Sequence, residues 1–405
     1  MFGFTMATLT LIASEALRIP VMGFVLQPTS IPSSAYPPIL PLKETTLKKM
    51  TQDAINEKHD QFKMAKFLMD NAGGLSDTKS ALRRRRGLQA YKSYETSTWQ
   101  ELKDKNVPLI IPINETMFGG KPDDWSENSI LTDCIFLRGN VVPPVADDAM
   151  SFITNAKSAD GKIVVLAFSS MPVSKTDICA IALKLIDECK SKAYVFALVG
   201  GQINDPFPNP NIQKAVEAAC AEGKLFLASG APFGRLFPLI DAVVLHGGLG
   251  TTSEAIMAKL PTIVTGVLLL DQRFWGSRCK KMGVGPFGVH IDDFPDVCVE
   301  NIDKALASNS IWKQNASKIG SLLLDEAGDD SSGVKKNVEC VVKMSELAKL
   351  YHYSQEEDLS VAMSRRSVAK KLFKKGLESL KESSGKKDKY NEDELALDEV
   401  YVEPV

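Results

Sequence analysis

One stretch of the chain concentrates groups that bind anions: His246-Gly247-Gly248-Leu249-Gly250-Thr251-Thr252-Ser253-Glu254, directly after the apolar run Asp241-Ala242-Val243-Val244-Leu245. A buried strand that gives way to glycines and then a helix leaves the first backbone N–H groups unpaired. The positive end of the helix dipole gathers at the same place. Glycines at 247, 248 and 250 let a ligand approach the main chain with no Cβ in between. Thr251 and Thr252 add hydroxyls, and His246 follows the carboxyl end of a strand, where open α/β sheets bind ligands. The chemistry this suits is the holding of an anion, above all a diphosphate. Thr251 and Glu254 also have the spacing of a capping box, which predicts that Thr251 caps the helix. The segment is not a Walker loop, because no Lys follows the glycines. It supplies two of the three glycines of the dinucleotide fingerprint, Gly248 and Gly250, with Ser253 in the third place.

A second group follows one strand later, in Leu268-Leu269-Leu270-Asp271-Gln272-Arg273-Phe274-Trp275-Gly276. An Asp accepts hydrogen bonds from sugar hydroxyls, and a Gln both donates and accepts, so the pair suits a polyol. The remaining histidines carry no comparable constellation. His59 lies among Glu57, Lys58 and Asp60, the pattern of a solvated helix face, and His290 and His352 stand alone. The seven cysteines, at 134, 179, 189, 220, 279, 298 and 340, form no CxxC pair. Free thiols in a reducing compartment fit that pattern better than a disulfide framework or a zinc site.

These groups need a scaffold, and residues 158–345 supply its pattern. Apolar runs at 163–168, 193–198, 225–227, 241–245 and 262–265 alternate with helical stretches near 176–190, 211–221 and 251–260. Continuous apolar runs alternating with helices predict a parallel sheet covered on both faces, an α/β fold. Residues 1–157 are irregular by comparison. Met6 to Leu17 reads as a helix and Val21 to Leu26 as a short buried strand; a Pro-rich loop (28–42), a polar helical stretch (50–100) and a turn-rich link (119–125) follow. Within the polar stretch, Arg83-Arg84-Arg85-Arg86 reads as a solvated helix face, with a phosphate or lipid-headgroup contact as the alternative. A chain that opens on a buried α/β segment leads us to expect further sequence in front of it.

Residues 346–405 differ again. Val361, Val368, Leu372, Phe373, Leu377 and Leu380 recur at helical spacing beside seven Lys and Arg in 361–382, and an acidic tail of disordered composition follows. A basic amphipathic helix of this kind either lies on an anionic membrane or packs back on the globular body. Length fits two or three domains at about 150 residues each. With 48 Lys and Arg against 50 Asp and Glu, the net charge of -2 gives no overall attraction to nucleic acid. No stretch reaches the ~20 apolar residues of a spanning helix. The expected location is cytoplasmic, with peripheral membrane contact.

The segment HGGLGTTSEAIMAKLPTIVTGVLLLDQRFWGSRCKKMGVGP resembles the donor-binding signature of UDP-glycosyltransferases, closest to the sterol 3-beta-glucosyltransferase branch and its bacterial antibiotic-glycosylating relatives. IVVLAFSSMP (163–172), APFGRLFPLIDAVVLHGG, KPDDW (121–125) and SEALRIPVMGFVLQPTSIPSSAYPPILP (14–41) are similar to other pieces of that family. The resemblance implies a GT-B-like α/β fold. It would comprise a partial N-terminal acceptor-side domain with its link (1–157), a complete C-terminal nucleotide-sugar domain (158–345) and the basic helix with its tail (346–405). It implies that His246, Gly248, Gly250, Thr251 and Thr252 hold the diphosphate, Glu254 meets the ribose, Asp271 and Gln272 read the sugar, and Ser169 and Ser170 line the phosphate side. The implied reaction is inverting and metal-independent: a hexose, glucose foremost, moves from a UDP-sugar co-substrate to a hydroxyl of a sterol or other lipophilic acceptor, with no further cofactor. No residue is assigned as the base. Members of the family begin with a Gly-rich strand–loop–helix that carries it, and nothing like that precedes residue 14. The alternative is therefore a catalytically degenerate relative that binds a nucleotide sugar or a lipid. Leu245 and Phe233 replace usual histidines, and Leu270 replaces a usual glycine.

Overall fold

The computed structural model describes residues 1, 3, 6–31, 33–36, 79–89, 98–136, 142–168, 171–268, 271–327 and 332–353. Two parallel sheets organise them. The smaller runs β1 (Gly23–Phe24), β2 (Leu109–Ile111) and β3 (Ser129–Leu131), in that order. Helices α1 (Ala7–Leu17), α2 (Lys79–Arg85), α3 (Thr98–Asp104) and α4 (Glu115–Phe118) belong to the same part of the chain. The larger sheet holds β4 (Lys162–Ala167), β5 (Ala193–Leu198), β6 (Leu225–Ala228), β7 (Ala242–Leu245), β8 (Thr262–Gly266) and β9 (Val289–His290), ordered β6-β5-β4-β7-β8-β9. Counted from β4, that is the third, second, first, fourth, fifth and sixth strand, the doubly wound order. Its topological switch point lies between β4 and β7.

Alternation along the strands divides the covering helices. Val165, Ala167, Phe196, Val243 and Leu245 face one core with α5 (Asp147–Ser158), and Val164, Leu166, Val195, Ala197 and Val244 face the other with α6 (Lys175–Glu188) and α7 (Pro210–Ala221). Both faces are buried, which is why these strands read as unbroken apolar runs. After the short α8 (Phe233–Leu236), α9 (Leu249–Met257) joins the first face. Then come α10 (Asp271–Lys281), α11 (Phe294–Leu306), which joins the second face, α12 (Ile311–Ala327) and α13 (Ser332–Tyr353).

Two readings of the first 157 residues change. The stretch is more regular than its pattern: β2, β3 and α5 all lie in it. β2 is three residues between Pro108 and Pro112, too short for periodicity to register. In α5, Ala149, Phe152, Ile153 and Ala156 are buried at helical spacing, and Asp147 and Asp148 occupy the favourable first turn. Arg83 is not on a solvated face. It is 6% exposed and grips Glu15 of α1 through two hydrogen bonds of 2.7 Å, while Arg84, Arg85 and Arg86 are exposed. The Arg83 bond, more than Lys105 beside it, holds the Glu15 carboxyl below its usual range against the opposing effect of burial.

The two sheets share a third core. Ile256 of α9, Trp275 of α10 and Leu323 of α12 bury against Leu109, Ile111, Met117 and Trp125. Rings interlock there: Phe274 lies 5.0 Å from Phe118 and 5.6 Å from Tyr36. Arg278 of α10 donates to the carbonyls of Met117 (3.0 Å) and Thr116 (3.3 Å). Its guanidinium packs where a Cβ on Gly119 (φ 104°) would stand. Asn337 of α13 ties to the other edge, donating to the Asp133 carbonyl at 2.8 Å and accepting from Thr132 Oγ1 at 2.7 Å. Asp124 of the KPDDW link accepts from Ser33 Oγ and from the Ser34 amide, both at 2.7 Å, and so pins the loop after β1. All seven cysteines are free. Among the described residues no helix is long and apolar enough to cross a membrane.

Candidate functional site

The register of the large sheet places the site. Ala167 pairs with Leu245, so His246 leaves the sheet directly beside the carboxyl end of β4, at the switch point. Gly247 turns the chain with φ 83°, and Gly248 caps α9 in an extended conformation with no side-chain cap. The Thr252 amide is the first to bond back, to the Gly248 carbonyl at 3.0 Å. The amides of Gly248, Leu249, Gly250 and Thr251 therefore form the unpaired first turn. This corrects the capping-box expectation. The helix starts two residues before Thr251, which sits inside the first turn and is not its cap.

The imidazole folds onto that mouth. A Cβ on Gly248 would lie 2.4 Å from His246 Nε2, so only glycine leaves room for the ring there. His246 is 8% exposed, and its Nδ1 is buried with no hydrogen-bond partner among the described residues. Burial pushes the imidazole pKa down, partly opposed by the nearby Ala167 backbone, so the free site holds a neutral ring. A buried polar atom without a partner costs free energy until something satisfies it. Gly250 is exposed, with open space where its side chain would be. Thr252, expected at the mouth, is instead fully buried, and its Oγ1 lacks a partner too. Thr251 is 8% exposed. Glu254 is half-buried on the side of α9 that faces Cys134. Burial pushes the Cys134 thiol up to about 11, and the Asp133 and Glu254 charges add to it.

The Asp-Gln pair is brought to the same place. A Cβ on Gly247 would meet the Gln272 carbonyl at 2.9 Å, so the turn after β7 packs directly on the start of α10. Asp271 occupies the first position of α10, where the helix dipole favours its charge. Burial raises its pKa, and a hydrogen bond from Gln27 opposes the rise. Gln272 is 4% exposed and donates to the Met171 thioether at 2.9 Å, a weak acceptor that a hydroxyl can replace. Leu268, before the pair, has φ 53°, a costly conformation for a branched residue; its carbonyl is held by Arg273 Nε at 2.9 Å.

Ser169, Ser170, Leu270, His59 and the 361–382 segment lie outside the described residues. His290 ends β9, paired with Gly266 of β8, and its Nδ1 lies 3.4 Å from Asp292. Of the family departures, Leu245 points into the core and Phe233 stacks on Phe237 at 4.8 Å. Sequence reasoning missed Gln27, Met171 and Arg278. Each lies inside a quoted stretch, but only tertiary structure shows what it touches.

The arrangement is thus an α/β one that brings the open first turn of α9, the His246 ring and the Asp271-Gln272 pair together at the switch point of its larger sheet. The chain is 26% identical over 294 residues to a sterol 3-beta-glucosyltransferase of Aspergillus clavatus, covering 71% of this chain and 20% of the relative. It is 24% identical over 320 residues to a sterol 3-beta-glucosyltransferase of Arabidopsis thaliana, covering 78% and 44%. The chain is similar in sequence to these sterol 3-beta-glucosyltransferases, and it spans between about a fifth and under half of the length of these two. No family model matches. Among solved structures, a UDP-glucose: anthocyanidin 3-O-glucosyltransferase in complex with UDP is similar at 12% identity and a TM-score of 0.49, covering 84% of this chain and 73% of that one. The glycotransferase of kitacinnamycin gives 12% and 0.49, covering 83% and 74%.

Proposed function

We propose that the chain binds a UDP-sugar at this site and transfers its hexose, glucose foremost, to a hydroxyl of a sterol or other lipophilic acceptor. The observation that carries the reading is the convergence of the buried His246 ring, its Nε2 against Gly248, on the open first turn of α9, with Gln272 packed against the same turn. In an inverting transfer the acceptor oxygen loses its proton to a base and attacks the anomeric carbon. The bond from that carbon to the phosphate oxygen breaks, and UDP departs with the electron pair. The departing charge falls on the diphosphate. The free amides of Gly248 to Thr251 and the His246 ring would stabilise it there, the electrostatic work that a metal does in other transferases. Asp271 and Gln272 would orient the hexose.

The sterol-type relatives support a lipophilic acceptor. The sequence of 361–382 supports peripheral contact with an anionic membrane from the cytoplasmic side. The test is incubation of the protein with UDP-glucose carrying labelled glucose and a sterol in detergent. Label in a sterol glucoside with equal release of UDP supports the reading; absence of any UDP-glucose binding overturns it. Binding without turnover would select a catalytically degenerate relative.

A further inference from the structure

Gln27 belongs to no part of the donor signature, yet it reaches it. Its Nε2 donates to Asp271 Oδ1 at 3.3 Å across 244 residues of sequence. It stands just past the carboxyl end of β1, in the small sheet, while Asp271 opens α10, just past the carboxyl end of β8 in the large one. The backbone around Gln27 is fixed on both sides. The Val25 amide bonds the Ile110 carbonyl at 2.8 Å, Pro28 opens a short 3-10 turn, and the Gln27 carbonyl accepts from the Ser30 amide (3.0 Å) and Ser30 Oγ (2.7 Å). The amide is therefore presented from a rigid point.

We propose that Gln27 is a positioning residue for the sugar site: its amide, supplied by the small sheet, holds the Asp271 carboxylate in the orientation that receives the hexose hydroxyls. The inference rests on the donor-site reading above and adds to it the part played by the N-terminal half of the chain. Asp271 is half-buried, and the Gln27 amide together with the Asp271 backbone N–H fixes the carboxylate's rotamer without satisfying all its lone pairs. One oxygen accepts from Gln27, and the remaining lone pairs stay available to a ligand. The contact also makes sugar recognition depend on the two sheets being seated against each other, because the reader comes from one and its brace from the other.

The effect belongs to the sugar and not to the diphosphate, which gives a clean test. Dissociation constants for UDP and for UDP-glucose are measured by titration calorimetry on the full chain, for the native protein, Gln27→Met, Asp271→Asn and the double variant. Met keeps the length and removes the donor. Gln27→Met is expected to leave UDP affinity within about twofold and to weaken UDP-glucose by about five- to tenfold, the net loss of one hydrogen bond of ordinary strength that acts on the sugar only through Asp271. Asp271→Asn should weaken UDP-glucose as well, and adding Gln27→Met to it should cost less than Gln27→Met costs the native protein, because Asn keeps an acceptor for the brace but lacks the charge it orients. Equal weakening of UDP and UDP-glucose by Gln27→Met would mean that the contact is structural and would overturn the proposal. So would an unchanged ratio, or losses that add in the double variant. Failure of the native protein to bind UDP at all would instead refute the donor-site reading on which the proposal stands.

Discussion

Replacing Gly248 by Ala isolates the contact on which anion binding depends. Gly248 has φ -71° and ψ 144°, which alanine adopts without strain, so the backbone is not the obstacle. The added Cβ would lie 2.4 Å from His246 Nε2, 3.1 Å from Cε1 and 3.3 Å from Cδ2. The ring is enclosed, so it must swing off the mouth of α9 and take its hydrogen bond with it. A hydrogen bond to a charged partner contributes about 1.5–3 kcal/mol, which corresponds to a loss of about 10- to 100-fold in affinity for UDP. The fold should survive, because an alanine cap costs only about 1 kcal/mol. Titration calorimetry with UDP and thermal unfolding of the same samples measure both quantities. Native affinity in Gly248→Ala would show that the imidazole does not serve the anion, and the reasoning would fail. The neighbouring glycines are contrasting controls. Gly247→Ala combines φ 83° with clashes at Val264 Cγ1 (2.7 Å) and the Gln272 carbonyl (2.9 Å), and should unfold at markedly lower temperature. Gly250→Ala meets nothing within 4 Å and should leave stability unchanged.

Three further outcomes follow. Burial holds the His246 pKa below its ordinary value of about 6.5, and a bound diphosphate would raise it. UDP binding should therefore take up a proton between the two pKa values and weaken as pH rises through the upper one. Calorimetry in buffers of different ionisation enthalpy detects this, and zero uptake from pH 5.5 to 7.5 counts against the contact. Arg83→Met strands Glu15 beside Lys105 and should cost about 1–3 kcal/mol in urea unfolding at pH 7. Because the folded Glu15 pKa is lowered, its contribution is complete above its unfolded value near 4.3 and disappears as pH falls through the folded one. The variant and native midpoints should then converge as pH falls below the ordinary carboxylate range, and a constant gap would contradict the pairing. Arg278→Met removes donors to the Thr116 and Met117 carbonyls and should destabilise by about 1–3 kcal/mol. An unchanged urea midpoint would show that the guanidinium contributes no net stability.

The large sheet was legible because both its faces are buried. Strands such as Ile163 to Phe168 and Ala193 to Leu198 carry apolar residues at every position, and the helices between them keep a 3.6-residue stripe. The small sheet was not, since β1 to β3 total eight residues and are completed by side chains from distant α9, α10 and α12. For the site, the glycines and the strand-to-helix step located the mouth of α9, but chemistry by residue type misjudged details. Thr251 has the spacing of a cap, yet the helix begins earlier because extended Gly248 already provides the turn. Thr252 carries a hydroxyl, but the helix turns it inward. Arg83 in a run of four arginines looks solvated, and only the approach of Glu15, 68 residues earlier, reveals its partner. Gln27 is the same kind of case: a tertiary contact leaves no local pattern.

The central claim is that the first turn of α9 and the His246 ring seat a diphosphate, and comparing uridine, UMP and UDP as ligands of the native protein addresses it most directly. Affinity should climb steeply from uridine to UDP, and His246→Ala should flatten most of that climb while leaving uridine binding unchanged. Equal affinities for the three ligands, or a climb untouched by His246→Ala, would contradict the account.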